Sequence, residues 1–274
     1  MLLICLAGRI HAEESFHERQ TAVPQESCEP SSAPALPPAA EASPEPEPEP
    51  AEEALGIEAG LHYGKHQQET AEYGGQYLEY NVMVPENATE GMPLIIYLPG
   101  DNSNDRLNEI PEREFALRVK EIYGDDFPFI LCLPCTRWFE WHDGWIAEVL
   151  KGLIDEVAAE YRVDSSKICL TGYSRGAVGC WGMVNDLGSY FSCAVPVSCG
   201  GTVKNTENFA EVPLWAIASD GAGDAGYLRE IKSNVEKINE NGGAALLTII
   251  EGSDHAYMGY DAYSKEVIEW MLGR

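Results

Sequence analysis

The sequence predicts an α/β fold class, a mostly parallel central sheet with helices on both faces, preceded by a disordered Pro/Glu-rich tail. Three observations carry that expectation. From about Leu61 onward, short apolar runs alternate with stretches of helical periodicity, and Gly or Pro marks the junctions. The runs are continuously apolar, which is how strands covered on both faces read. With 274 residues, 45% of them hydrophobic, the chain can bury one sizeable core.

Taken in order, residues 1–12 open on Met1-Leu2-Leu3-Ile4-Cys5-Leu6-Ala7-Gly8. This run is similar to the apolar part of a secretory signal without its basic leader, and it is too short to span a bilayer. A secreted or cell-envelope location, with no transmembrane span, is the expectation. Cys5 matches a lipid-anchoring cysteine poorly, because Ile4 stands where a small residue ordinarily does. Residues 13–59 read as a linker. Between 22 and 54 there are nine prolines, repeated Pro-Glu pairs and no aromatic residue, a composition that cannot offset its own ordering entropy. Either an extended tether or a dispensable tail, it precedes a domain at 60–274. There, residues 77–84 alternate like an edge strand, and buried strands are expected at 94–98, 129–133, 167–171, 194–198, 214–218 and 246–250. Trp145, Ile146, Val149, Leu150, Leu153, Val157 and Tyr161 recur at helical spacing, as do Leu228, Ile231, Val235 and Ile238. Residues 263–272 read as a closing helix.

Charge removes one class of partner. Against 45 Asp and Glu stand 18 Lys and Arg, a net charge of −27, so a nucleic acid would be repelled. Residues 1–59 hold −10 of this, leaving an acidic domain that is either simply soluble or selective for cationic substrates. Of the eight cysteines, Cys132 and Cys135 form a C-x-x-C pair. At the end of a buried strand, packed thiols are favoured over a redox pair, and with no second close pair there is no zinc pattern. No metal or cofactor is called for.

The sharpest chemical signal is Gly172-Tyr173-Ser174-Arg175-Gly176, placed directly after an apolar strand and before a helical stretch. In that context a serine sits on a tight turn above the sheet edge, at a helix N-terminus where backbone N–H groups favour a developing oxyanion. Ser174 is thus the candidate nucleophile, and it needs a base oriented by a carboxylate. Of six histidines, His11 and His17 are in the tail, His62 and His66 precede the expected sheet, and His142 lies before the turn. His255 follows the last expected strand and is the preferred base. The loop after 214–218 offers two acids, Asp224, preferred on loop length, and Asp220 as the alternative. The oxyanion donors are expected at Arg175 and at Gly100 or Asp101, where an acidic side chain must point away or be paired. Trp138, Trp141 and His142, with Tyr173, are candidates for a substrate-binding wall, although plain packing of the tryptophans competes with that reading. Arg175 could hold a substrate carboxylate or be paired internally.

These residues, together with 93–100, Tyr161-Arg162-Val163-Asp164, 191–196 and 212–216, resemble the secreted-esterase and predicted-peptidase branch of the α/β-hydrolase superfamily, which includes feruloyl-esterase-like and polyhydroxybutyrate-depolymerase-like members. The resemblance runs from about Tyr77 to Leu272. It implies an α/β-hydrolase fold and a cofactor-free triad carried onto Ser174, Asp224 and His255. With that triad the expected substrate is a small-molecule ester cleaved through an acyl-enzyme, and the aromatic wall, if it lines the cleft, would suit an aryl or carbohydrate-linked one. Three positions depart from the family pattern: Leu98-Pro99-Gly100 replaces Leu-His-Gly, Ala218-Ser219 replaces a His-Gly pair, and Arg175 replaces an apolar residue. A serine peptidase of the same fold and a catalytically silent binding domain are the rival expectations. The oligomeric state is not legible in the sequence.

Overall fold

The computed structural model describes residues 56–67, 75–101, 106–136, 139–221 and 223–274. The signal-like run, nearly all of the expected linker, and Trp138 lie outside the described residues.

Among the described residues, eight strands form one sheet: β1 (Gly60–Gln67), β2 (Tyr77–Val84), β3 (Leu94–Leu98), β4 (Ile130–Cys135), β5 (Ile168–Tyr173), β6 (Cys193–Val197), β7 (Trp215–Ser219) and β8 (Leu246–Ile250). Their order is β1-β2-β4-β3-β5-β6-β7-β8. β1 and β2 are antiparallel to their neighbours, and from β4 to β8 every pairing is parallel. Parallel pairing needs crossovers, supplied on one face by α2 (Ile146–Glu160), α3 (Arg175–Leu187), α4 (Thr206–Glu211) and α5 (Ala225–Glu240). On the other face lie α1 (Glu114–Tyr123), α6 (His255–Asp261) and α7 (Lys265–Leu272).

Two apolar layers follow from the strand period of two. Leu94, Ile96 and Leu98 pack with Leu150, Leu153, Trp181 and Ile231 in one layer. Ile95 and Tyr97 pack with Phe115, Val119, Tyr263 and Ile268 in the other. The same alternation puts Cys132 in the first layer and Cys135 in the second, so the C-x-x-C pair points in opposite directions and both side chains are buried.

Two sequence expectations about the sheet edges need correction. Residues 77–84 are not an edge strand, because β1 pairs along the whole of β2, from Gly60 opposite Val84 to Gln67 opposite Tyr77. β1 reads Gly-Leu-His-Tyr-Gly-Lys-His-Gln, which has no apolar run, and its inner face is only half-buried, through His62, Gly64 and His66. His62 and His66 therefore belong to the sheet. Gly64 is required there, since a Cβ would come within 2.1 Å of the Tyr80 ring. At the opposite edge, β8 was expected to be buried, yet Leu246 is 46% exposed. Among the described strands, β8 pairs only with β7. Among the described residues, no helix is long and apolar enough to cross a membrane.

Candidate active site

The parallel strands all end at the same rim, and the loops leaving β3, β5, β6, β7 and β8 carry the polar residues singled out by the sequence. The turn after β5 is the most constrained. Ser174 has φ 54° and ψ −119°, a conformation that L residues rarely adopt, and it immediately precedes α3. Its N–H donates to Val197 O at 2.9 Å, and its carbonyl accepts from Val178 N–H at 3.2 Å. The flanking glycines are steric necessities. A Cβ on Gly176 would lie 1.8 Å from Leu98 O, and one on Gly172 would lie 2.7 Å from Gly176 O. Strand, turn and helix thus approach backbone to backbone, and Ser174 is pushed out at the rim.

His255, expected to follow the last strand, is the first residue of α6. Asp254 caps that helix, accepting from Ala256 N–H at 3.3 Å. The β7 and β8 loops are strapped together beneath it. Ser219 Oγ donates to Ser253 O at 2.6 Å, and a Cβ on Gly221 would sit 2.1 Å from that same oxygen. Asp220 belongs to this strap, its Oδ1 accepting from Gly252 N–H at 2.7 Å. It therefore does not reach the imidazole, and the carboxylate beside His255 is Asp224.

The three side chains form a row. His255 Nε2 is 2.9 Å from Ser174 Oγ, and His255 Nδ1 is 2.5 Å from Asp224 Oδ1. A carboxylate only accepts, so Nδ1 carries the hydrogen, and the Nε2 lone pair is left for the serine hydroxyl. Asp224 is 1% exposed and the imidazole about a quarter exposed, so the row runs from the interior out to solvent. A fourth residue, which no sequence motif marked, completes it. Ser198, buried at the end of β6 with φ 66°, donates to Asp224 Oδ2 at 2.5 Å and lies 3.2 Å from His255 Nδ1. Its only sequence signal is its place between an apolar run and Gly200-Gly201.

The loop after β3 presses on this turn. A Cβ on Gly100 would come within 3.0 Å of the Tyr173 ring and 3.4 Å of Ser174 Cβ. Trp141 Nε1 donates to Pro99 O at 3.2 Å, which fixes the loop from below. Arg175 Nη1 is 2.9 Å from Asp101 Oδ1, and Arg175 Nε is 2.8 Å from Glu140 Oε2, an ion pair whose N–H is not aligned for a hydrogen bond. The guanidinium also donates to Phe139 O. Arg175 is thus paired internally, as one sequence alternative had it.

The expected substrate wall is largely corrected. Trp141 is fully buried and contacts no open space, so it packs the core under the loop. Tyr173 is also buried; its hydroxyl donates to His255 O at 2.6 Å and its ring centroid lies 5.4 Å from the imidazole, making it a support for the base. His142 does face a cavity. It borders a space of about 340 Å³ together with Asp101, Glu140, Ser174, Arg175, Val178, Cys199 and Tyr227. Cys199, missed by the sequence reading, has its thiol pushed up to about 12 by burial. A second cavity of about 390 Å³ shares His142, Val178, Cys199 and Tyr227 and continues along α3 to Asp186, Lys204 and Glu230. Among the described residues, no cluster of three or more potential metal ligands occurs.

Against known proteins, no family model matches the sequence and no curated protein does. Solved structures do match. A thermostable esterase shares 21% identity at a TM-score of 0.58, over 77% of this chain and 62% of that one. The chain therefore spans about three-fifths of that esterase. The S-formylglutathione hydrolase of Staphylococcus aureus is 14% identical at a TM-score of 0.57, over 78% of this chain and 97% of that one. The feruloyl esterase module of Clostridium thermocellum, solved with sinapinate, is 12% identical at a TM-score of 0.55, over 72% of this chain and 82% of that one. At such identities the likeness speaks for architecture alone, and with the strand order and the turn at Ser174 it gives the conclusion that this chain has the α/β-hydrolase fold.

Proposed function

We propose that the protein is a serine hydrolase that cleaves small-molecule carboxylic esters. One observation carries the reading: Ser174 Oγ, raised on a strained turn, lies 2.9 Å from His255 Nε2, whose other nitrogen is held by buried Asp224. In the first step Ser174 Oγ bonds to the ester carbonyl carbon as its proton passes to His255 Nε2. The tetrahedral oxyanion is met by the backbone N–H of Arg175 and that of Gly100 or Asp101. Collapse breaks the carbon–oxygen bond to the alcohol, which takes the proton from the imidazolium. Water then repeats the sequence on the acyl-enzyme and frees the acid. Asp224 keeps the imidazole in the productive tautomer and offsets the charge that forms on it.

The test is direct. Wild-type protein should hydrolyse 4-nitrophenyl acetate and be labelled by a fluorophosphonate probe. Ser174→Ala should lose both, and survival of either activity in that variant overturns the assignment. An amide substrate run in parallel separates an esterase from a peptidase of the same fold.

A further inference from the structure

Asp101 poses a physical difficulty for that mechanism. It follows Gly100 in the loop packed on the nucleophile, and it borders the same cavity as Ser174, so a carboxylate stands where negative charge is to develop. The sequence answers this at the next position in space. Arg175, whose own N–H follows the nucleophile, turns its guanidinium back to Asp101 Oδ1 at 2.9 Å, with Glu140 Oε2 at 2.8 Å from its Nε. Only 18% of the arginine side chain is exposed, against 68% of Asp101 and 48% of Glu140, so the cation is the enclosed member of the trio. One side chain thereby joins the loop after β3, the turn after β5 and the loop after β4.

We propose that Arg175 is a built-in counter-charge to Asp101, a positioning residue that holds the carboxylate away from the developing oxyanion and cancels its field. This rests on the ester-hydrolase reading. It assigns the guanidinium to the rate of the chemical step and not to gripping an anionic substrate, because both Nη atoms already donate, to Asp101 and to Phe139 O, and two carboxylates flank the cation.

A tether and a counter-charge make different predictions. Replacing Arg175 by Met keeps the length and removes the charge, leaving Asp101 and Glu140 without their cation beside the reacting carbonyl. For 4-nitrophenyl acetate at low salt, kcat should fall about tenfold with KM within about twofold, because the lost interaction acts on the transition state. Arg175→Lys keeps the charge and should retain most of kcat. Adding Asp101→Asn to Arg175→Met removes the carboxylate in the loop packed on the nucleophile, returns the cluster to its wild-type net charge with Glu140 in place, and should restore kcat to within about threefold of wild type. Raising salt from about 0.01 M to about 1 M shortens the screening length from about 30 Å to about 3 Å. It should narrow the gap between Arg175→Met and wild type, which a purely mechanical tether would not do. Thermal melts of each variant establish that it is folded. Failure of Asp101→Asn to rescue, or a defect that salt leaves unchanged, overturns the inference while wild-type turnover keeps the ester-hydrolase reading standing. If wild type neither hydrolyses the ester nor takes up the fluorophosphonate, both fall together.

Discussion

Replacing Ser198 by Ala tests whether the fourth member of the row matters. The hydroxyl donates to Asp224 Oδ2 at 2.5 Å, and both residues are essentially excluded from solvent. A hydrogen bond to a charged group contributes about 1.5–3 kcal/mol, and its loss leaves one oxygen of a buried carboxylate without that donor. The carboxylate stays in place throughout the reaction, so only part of this reaches the barrier. At about 1.4 kcal/mol per decade, kcat should fall about tenfold with KM unchanged. Stability should fall by about 2 kcal/mol through the lost hydrogen bond, while the left-handed strain of about 1 kcal/mol at φ 66° is the same in serine and alanine and cancels. Ser198→Gly loses the same bond but sheds the strain, and should lie about 1 kcal/mol above Ser198→Ala. Steady-state kinetics and thermal melts on the pair read both effects. A glycine variant less stable than the alanine one, or a kcat change below about twofold in Ser198→Ala, would falsify the account of Ser198 as a strained support for Asp224.

Other consequences are equally open to measurement. Asp224→Asn should lower kcat by about 10³- to 10⁴-fold with the fold intact, whereas Asp220→Asn should leave kcat nearly unchanged and cost less than about 1 kcal/mol in a melt. Gly176→Ala would put a methyl group 1.8 Å from Leu98 O, so it should destabilise the protein by more than about 3 kcal/mol, seen as insoluble expression or a melt shifted down by many degrees. Alkaline titration has a definite sign. Burial first of all pushes the Tyr161 hydroxyl up to about 12 and those of Tyr97, Tyr173 and Tyr263 further, while an unfolded phenol ionises near its ordinary 10.0. Between those limits the folded chain holds more protons, so stability is complete below about pH 10 and drains away as pH rises through the folded values. Tyrosinate absorbance should therefore rise together with loss of far-UV circular dichroism, and full titration with the helical signal intact would contradict it.

How much of this was legible in the sequence depends on what kind of force fixes each part. The central strands were visible because burial on both faces requires unbroken apolar runs, as in Leu94-Ile95-Ile96-Tyr97-Leu98, where no residue is exposed. β1 was invisible for the converse reason: it is held by backbone pairing to β2 and by Gly64 under Tyr80, neither of which needs an apolar run. Ser174 was legible because its turn demands glycine on both sides, a local requirement written in consecutive letters. Ser198 and Cys199 were not, because their importance comes only from β6 lying between β5 and β7. The two acids Asp220 and Asp224 are four residues apart, and only the strap from Gly252 N–H to Asp220 separates their roles. Trp141 and Tyr173 showed the limit of composition: an aromatic near a rim can face inward as easily as outward.

The opposed orientation of Cys132 and Cys135 has a consequence for how the protein is made. Once folded, no exchange between them is possible, and burial holds the thiols of Cys132, Cys180 and Cys199 far from ionising at neutral pH, so the native state offers oxidants little thiolate there. Before the sheet closes, the same sulfurs are ordinary exposed thiols on a floppy chain, free to meet partners that the finished architecture forbids. In an oxidising milieu, maturation is then a race between layer packing and sulfur chemistry. A reductant should raise the yield of refolded protein while leaving material that has already matured untouched.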